Sequence, residues 1–213
     1  MSDTEASLVI PHSPRRIKLG NPGPLGLFSF ASTTFILSLY NVNARGINTP
    51  NVVVGMAIFC GGLAQLLAGM WEFATGNTFG ATAFSSYGAF WLSFATLLIP
   101  GSGIAAAYAA SPNPSKEGDA IAIFLTAWMI VTFLFFIATL RKSIGLSVLF
   151  FCLTVTFMLL AVGDFQKSTS IHKSGGAFGI VTAFVAYYCG LAELLTEDDI
   201  FTIPLGKYNS RMA

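Results

Sequence analysis

The chain has 213 residues, of which 54% are hydrophobic and only 10% are charged, and its net charge is +1. A soluble domain usually has about 25% charged residues, and one of this size could not keep so much apolar surface out of water. The composition therefore predicts an integral membrane protein, and the small net charge argues against a nucleic-acid partner. The sequence shows no metal-ligand cluster, phosphate loop or nucleophile paired with a base, so we expect neither a cofactor nor an enzyme.

The first twenty residues differ in composition from the rest of the chain. They are polar and contain Pro11, Pro14, Arg15, Arg16 and Lys18. We therefore expect residues 1–20 to form a disordered cytosolic tail. A secretory signal is the alternative, because basic residues precede an apolar run. That run is long for a signal core and contains several Ser and Thr residues, which favours the tail.

Six apolar stretches follow, and each approaches the roughly 20 residues that a helical membrane crossing needs. They are Leu25–Tyr40, Val52–Trp71, Phe79–Ile99, Ala120–Leu140, Ile144–Gly163 and Gly175–Leu195. The runs are continuously apolar rather than alternating, which predicts helices. Because most connections are short, we expect an all-α transmembrane domain with six helices over residues 21–195.

The distribution of basic residues predicts the orientation. With the N-terminus inside, the cytosolic segments carry seven Lys and Arg residues against four outside, which favours cytosolic ends. Residues 196–213 are then a polar cytosolic tail, and residues 100–119 form the largest external loop. The interiors of the six stretches contain no charged residue. Glu72, Asp164 and Glu193 lie at the ends, where solvation and proton handling both remain open.

A short segment recurs in the two halves of the chain. FGATAF begins at Phe79 in the third stretch, and FGIVTAF begins at Phe178 in the sixth. Corresponding helices of two three-helix halves have opposite orientations, so the echo predicts an inverted repeat of the kind found in transporters. Chance recurrence of small apolar residues is the alternative.

The string NPGPLGL, from Asn21 to Leu27, introduces the first stretch. Asn is a good N-cap, Pro suits the first helical turn, and Gly permits close backbone approach. The string therefore predicts an abrupt helix start whose unpaired amides and positive dipole end attract a carboxylate. A rigid start without a binding role is the alternative.

Polar residues recur at helical spacing in two stretches. Phe30, Thr34, Ser38 and Asn41 share one face of the first helix, and Gln65 is the lone amide well inside the second stretch. The corresponding set on the third helix, with Tyr87 beside it, comprises Thr78, Thr82, Ser85, Ser86 and Ser93. Such groups either line a solute path or hold helices together in lipid.

Three segments resemble the acetate uptake transporter family, which includes bacterial succinate–acetate permeases and fungal acetate transporters. They are the opening string, GNTFG at residues 76–80 and SYGAFW at residues 86–91. The similarity runs from Asn21 to about Leu195, and NVNARG at residues 41–46 is similar to the fungal branch. The third position of the opening motif is usually Ala in this family and is Gly23 here.

The resemblance implies six-helix protomers in a hexameric ring, with a separate path through each protomer. It also implies an apolar constriction in that path, at the residues matching Phe30, Tyr87 and Leu153.

These patterns together predict a plasma-membrane transporter or channel for acetate and other small monocarboxylates, with succinate as a further candidate. Its expected partners are the solute, the lipid bilayer and other copies of the chain. A passive channel for urea, ammonia or another neutral solute is the alternative, because an uncharged path suits it as well. A membrane sensor without transport activity is the third hypothesis. The expected solute-binding residues are Asn21, Leu25, Gly26, Thr34, Gln65, Thr82 and Ser86.

Overall fold

The structure is a computed structural model that describes residues 19–208. Within this range the chain is helical apart from turns and one isolated bridge, which confirms the all-α prediction. The predicted N-terminal tail lies outside the described residues except for residues 19 and 20. Residues 209–213 of the predicted C-terminal tail also lie outside them.

The described range contains seven helices. They are α1 Gly23–Asn41, α2 Val53–Thr75, α3 Thr78–Leu98, α4 Ile104–Ala109, α5 Glu117–Thr139, α6 Ile144–Phe165 and α7 Thr169–Leu194. Six of these helices are long, whereas α4 has six residues and lies within the connection that we expected to be the largest loop. A π-helical segment, Met56–Ala64, forms part of α2.

Five of the long helices have the length and composition of membrane spans. They are α1, α2, α5 with the turn that precedes it, α6 and α7. The remaining long helix, α3, has 21 residues, but its Ser, Thr, Gly and Tyr residues dilute its apolar ones. A crossing by α3 therefore stays a prediction.

Two helices begin three or more residues before their predicted starts because polar residues form their first turns. The start of α7 lies six residues earlier than predicted, where the Ser168 side chain accepts a hydrogen bond from the Ile171 amide at 3.5 Å. The start of α5 lies three residues earlier, with Glu117 and Asp119 in the first turn. Acidic groups stabilise that end of a helix dipole, but hydropathy alone does not detect them.

The repeated segments occupy different positions in their helices. Phe79 is the second residue of α3, whereas Phe178 lies nine residues beyond the first residue of α7. The FGATAF segment thus starts its helix, and the FGIVTAF segment lies well inside one. The inverted repeat stays a prediction.

The six long helices form a closed ring. Backbones pack in the order α5, α6, α7, α1, α2 and α3. Side chains close the ring between α3 and α5, where the Phe79 and Phe135 ring centroids are 6.0 Å apart. In the same gap the Tyr87 hydroxyl lies 2.8 Å from Thr132 Oγ1. The centre of the ring is therefore enclosed on all sides by helices.

Small residues of α2 allow its neighbours to approach closely. A Cβ added to Gly61 would lie 2.7 Å from Thr33 Oγ1 and 2.7 Å from the Trp91 ring. A Cβ added to Gly69 would lie 2.5 Å from the Ser85 backbone nitrogen. The small-residue face of α2 thus packs against α1 and α3 inside the chain.

Both ends of the described chain lie on one face of the ring, which we call the chain-end face. The Asn21 side-chain amide donates to the Glu193 carbonyl at 3.3 Å, which joins the start of α1 to the end of α7. The segment after α7 returns to α6, where the Gly145 amide donates to the Leu205 carbonyl at 3.1 Å. The expected free tail is therefore docked as far as residue 208.

Candidate functional site: a path through the helix ring

Two cavities lie inside the ring, towards its opposite ends. The chain-end cavity has a volume of about 60 Å³, and its polar lining residues include Gln65, Glu72, Asn77 and Glu193. The far cavity has a volume of about 290 Å³, and its lining includes Thr34 and Trp91.

Three residues separate the two cavities, and we call them the neck. Phe30 and Leu153 line both cavities, and Tyr87 lines the chain-end cavity. Their exposed fractions are 4%, 3% and 2%, respectively, and each lies near the middle of its helix. The Phe30 and Tyr87 ring centroids are 5.5 Å apart. The structure thus brings together Phe30, Tyr87 and Leu153, as expected from the resemblance, and their role as a constriction stays a prediction.

Hydrogen bonds fix the position of Tyr87 in the neck. Thr132 Oγ1 donates to the Trp128 carbonyl at 2.6 Å, so its single hydrogen is already used. The Tyr87 hydroxyl must then donate to Thr132 Oγ1, which is 2.8 Å away. The rings of Trp128 and Phe150 flank Tyr87 at 5.9 and 6.2 Å. Tyr87 therefore has a polar anchor on α5 and presents its ring to the path.

Three buried side-chain atoms lack a hydrogen-bond partner within residues 19–208, and all three belong to residues that line the cavities. Gln65 belongs to the chain-end cavity lining, and Thr34 and Trp91 belong to that of the far cavity. Buried polar groups in folded proteins nearly always have partners, so each exception calls for an explanation.

The two cavities offer different hydrogen-bonding chemistry. In the far cavity, Trp91 and Thr34 can donate hydrogen bonds, and the acids Glu117 and Asp164 also lie in the lining. In the chain-end cavity, the Gln65 and Asn77 side chains can both donate and accept, and Glu72 and Glu193 are acceptors when they are ionised. Only the chain-end cavity thus combines two amide side chains with two glutamates.

The predicted polar stripe of α1 faces the path. Phe30, Thr34, Ser38 and Asn41 all line the far cavity, and Thr34 and Ser38 are buried. Their spacing over three helical turns places them on one face, as the sequence predicts.

The polar stripe of α3 has a different role. Thr82 is exposed, and its hydroxyl donates to the Thr78 carbonyl of its own helix at 2.8 Å. Ser93 donates in the same way to the Ala89 carbonyl at 2.9 Å. Ser86 is half-buried and lies outside the linings of both cavities. We therefore do not retain Thr82 and Ser86 as path residues.

The opening string provides fewer free amides than its sequence suggests. Gly23 N–H donates to Asn21 Oδ1 at 3.0 Å, and Gly26 N–H donates to the Pro22 carbonyl at 3.2 Å. Pro24 has no amide hydrogen. Three of the first four helical positions therefore offer no amide to a solute.

A carboxylate of the chain itself also occupies this helix start. The Glu193 carboxylate lies so close to Gly23 that a Cβ there would collide with Oε2. Gly26 packs against the Phe84 ring, which a Cβ would approach to 2.7 Å. Leu25 is 51% exposed and points away from the ring centre. The predicted contacts of Asn21, Leu25 and Gly26 with a solute therefore receive no support from their positions.

Sequence reasoning did not assign the two glutamates and Trp91 to the path. A six-helix topology places the ends of the second and sixth stretches on one face, so it could have brought Glu72 and Glu193 together. No spacing rule indicated Trp91, because aromatic residues recur throughout this chain. Asp164 lies in the far cavity, with its Oδ1 3.3 Å from His172 Nδ1.

A family model described as the GPR1/FUN34/yaaH family matches residues 6–207. The chain belongs to this family. The resemblance found in the opening string, GNTFG and SYGAFW is thereby confirmed.

Members of the GPR1/FUN34/yaaH family include proteins with different names. The chain is 45% identical to ammonia transport outward protein 2 of Saccharomyces cerevisiae over 184 residues, 86% of this chain and 64% of the relative. It is 40% identical to the succinate-acetate/proton symporter SatP of Escherichia coli over 192 residues, 89% of this chain and 97% of the relative. The chain spans about two thirds, 64% to 65%, of the length of the yeast relatives that it matches.

A solved structure of a family member has the same fold. The structure of the bacterial acetate channel SatP aligns with a TM-score of 0.77 at 38% sequence identity. The alignment covers 89% of this chain and 100% of the SatP chain. The helix ring is therefore a family architecture.

Proposed function

We propose that this protein moves acetate and other small monocarboxylates across a membrane, with succinate as a further candidate. The observation that carries the proposal is that the three residues with an unpartnered buried side-chain atom in residues 19–208, Gln65, Thr34 and Trp91, all line the two cavities. A buried polar group without a partner costs roughly 1–3 kcal/mol, so groups of this kind are expected where a solute completes the hydrogen bonds. The names of SatP as a symporter and as a channel for acetate support the same class of solute.

The proposed route runs through the far cavity, the neck and the chain-end cavity. Within the described residues, neither cavity has a Lys or Arg in its lining. An ion that loses its hydration in the neck without a countercharge pays several kcal/mol. Passage therefore favours the neutral acid, or an anion whose oxygens remain hydrogen-bonded to groups such as the Thr34 hydroxyl.

We infer that α3 completes a six-crossing bundle, because it closes the helix ring. We also infer a ring of copies in the plasma membrane with both chain ends in the cytosol, the orientation that the basic residues favour. Phe59 on α2 and Phe133 on α5 are 67% and 48% exposed and would face lipid or a neighbouring copy. Native mass spectrometry of the detergent-solubilised protein would measure the oligomeric state, and a monomer would contradict the ring.

Uptake of radiolabelled acetate into proteoliposomes tests the function. The pH gradient and the membrane voltage are varied separately, and protein-free liposomes correct for the diffusion of acetic acid through lipid. We expect protein-dependent acetate flux. Its absence, together with a flux of urea or methylammonium, would instead support the neutral-solute alternative.

A further inference from the structure

Two carboxyl groups are built into the wall of the chain-end cavity. Glu72 is 3% exposed, and its carboxyl carbon would lie 3.0 Å from a Cβ added to Gly80. The Glu193 carboxyl group is seated against Gly23 in the same way. A glycine on α3 and a glycine on α1 thus make room for the two groups, and both glutamates line the cavity.

The surroundings of the two groups favour a shared proton. Neither carboxyl group has a Lys or Arg ion-pair partner within residues 19–208, and both line the same largely apolar cavity. Two carboxylates that face one apolar space repel each other when both are ionised. A proton bound by the pair relieves that repulsion.

An independent observation indicates what enters this cavity. Gln65 Oε1 lies in the same lining, its residue is 1% exposed, and it lacks a partner among residues 19–208. A carboxylic acid can donate to this oxygen, whereas a carboxylate can accept a hydrogen bond from the NH2 group of the same side chain. The chain-end cavity can thus hold both protonation states of the solute beside the two glutamates.

We propose that Glu72 and Glu193 form the proton-exchange site of the transport path and convert the solute between acetate and acetic acid. This inference depends on the proposed function and adds to it the place where the proton binds.

The proposed step conserves atoms and charge. Acetate that enters the chain-end cavity takes the proton held by the pair, which forms an O–H bond on the acid and leaves one more carboxylate ionised. The neutral acid donates that hydrogen to Gln65 Oε1 and passes the neck. The pair then regains a proton from water at the chain-end face. One proton therefore moves with each acetate, without net charge.

Other charged and titratable groups lie on this face and in the far cavity. Lys207, in the docked C-terminal segment, is the cation whose charge reaches Glu193. Lys142, between α5 and α6, lies 5.0 Å from the centre of the Phe79 ring. In the far cavity, Glu117, Asp164 and His172 are the titratable groups. The far-cavity groups offer a second proton site, so the test must separate the two ends.

The test compares two kinds of acetate movement in the same proteoliposomes. One is net uptake driven by a proton gradient at clamped voltage, and the other is acetate exchange at equal pH, which moves no net protons. We expect the double variant Glu72→Gln/Glu193→Gln to lower both movements at least tenfold per assembled protein, because in each of them the solute must take its proton from the pair. Each single variant should show a smaller loss. Size-exclusion chromatography measures the amount of assembled protein by which each rate is divided.

Two further variants serve as comparisons for the Glu72/Glu193 double variant. Glu197→Gln replaces an exposed acid just beyond α7 and should keep at least half of the wild-type rates. Asp164→Asn replaces an acid in the far-cavity lining and tests the other end of the path. Unchanged rates in the double variant would overturn the inference, as would a loss confined to Asp164→Asn. Wild-type protein without acetate exchange would instead contradict the proposed function, whereas wild-type exchange with purely voltage-driven uptake would contradict only the proton site.

Discussion

The Phe30 and Tyr87 rings meet with their centroids 5.5 Å apart and their planes inclined by 60°. This tilted arrangement is favourable for aromatic pairs. It joins α1 to α3 at the position where the two cavities approach each other. Leu153 completes the contact from α6. The narrowest part of the proposed path is therefore made of stiff side chains from three different helices.

Truncation of Phe30 should widen the neck. We expect Phe30→Ala to admit longer acids, so that the ratio of butyrate flux to acetate flux rises several-fold. The physical reason is the loss of a ring that blocks the path. Flux of both labelled acids in proteoliposomes measures the ratio.

The matched control for Phe30→Ala is Phe151→Ala. Phe151 lies on α6 and is 51% exposed, so its removal should leave the ratio unchanged. Replacing a buried Phe with Ala usually lowers the free energy of unfolding by about 3–5 kcal/mol. Phe30→Ala should therefore unfold at a lower temperature than Phe151→Ala. Equal flux ratios in Phe30→Ala and wild type would contradict the assignment of Phe30 to the neck.

The hydrogen bond between Tyr87 and Thr132 should contribute unequally to the stabilities of variants at its two ends. In Tyr87→Phe, Thr132 keeps its bond to the Trp128 carbonyl, so we expect a loss of about 1 kcal/mol. In Thr132→Val, the buried Tyr87 hydroxyl loses its acceptor, so we expect a larger loss of roughly 1–3 kcal/mol. Thermal unfolding in one detergent compares them. The reverse order of stabilities would show that Tyr87 has another partner.

The unpartnered Thr34 hydroxyl should matter for transport and not for folding. Thr34→Val removes an oxygen that bonds to nothing within residues 19–208, so stability should stay the same or rise slightly. Acetate flux should fall several-fold, because the solute loses a donor in the far cavity. The adjacent Thr33 provides the control, since it is fully buried and donates to the Ser29 carbonyl at 2.9 Å.

In Thr33→Val we expect the opposite pattern, with lower stability and ordinary flux per folded protein. Should Thr34→Val transport acetate at the wild-type rate, the proposed role of the far cavity would be wrong.

Substitution by alanine at two glycines of α2 should change the stability of the protein in opposite directions. A Cβ on Gly69 would meet the Ser85 backbone, which cannot move without separating α2 from α3. We expect Gly69→Ala to cost about 1–3 kcal/mol. Gly55 has nothing within 4 Å of such a Cβ, so Gly55→Ala should stabilise the helix by about 0.5–1 kcal/mol. Unfolding temperatures of both variants test the pair, and destabilisation by Gly55→Ala would indicate an additional packing contact there.

The sequence was sufficient for the architecture and for half of the candidate path. Continuous apolar runs identify the long helices, and helical spacing places Thr34, Ser38 and Asn41 on one face. Both signals lie within single segments of the chain, so the amino-acid sequence alone is sufficient to detect them. Local patterns did not identify Leu153 as a neck residue, because it is one of many leucines. It was identified through the family resemblance alone.

Some predicted site residues lie outside the two cavity linings, for physical reasons that spacing does not encode. The Thr82 hydroxyl bonds to its own helix, an option that Ser and Thr have in any helix. The start of α1 seemed suited to a solute carboxylate, but Glu193 from the far end of the chain occupies the same place. Which polar group meets which depends on how distant helices pack, and the sequence pattern of one helix does not contain that information.

The central claim is that acetate crosses between Phe30, Tyr87 and Leu153. Uptake of labelled acetate by Leu153→Trp proteoliposomes tests it most directly, because the larger ring should fill the neck. We predict a loss of at least tenfold relative to wild type, while Phe151→Trp, on the exposed side of the same helix, keeps its flux. Wild-type uptake by a correctly assembled Leu153→Trp protein would contradict a path through the neck.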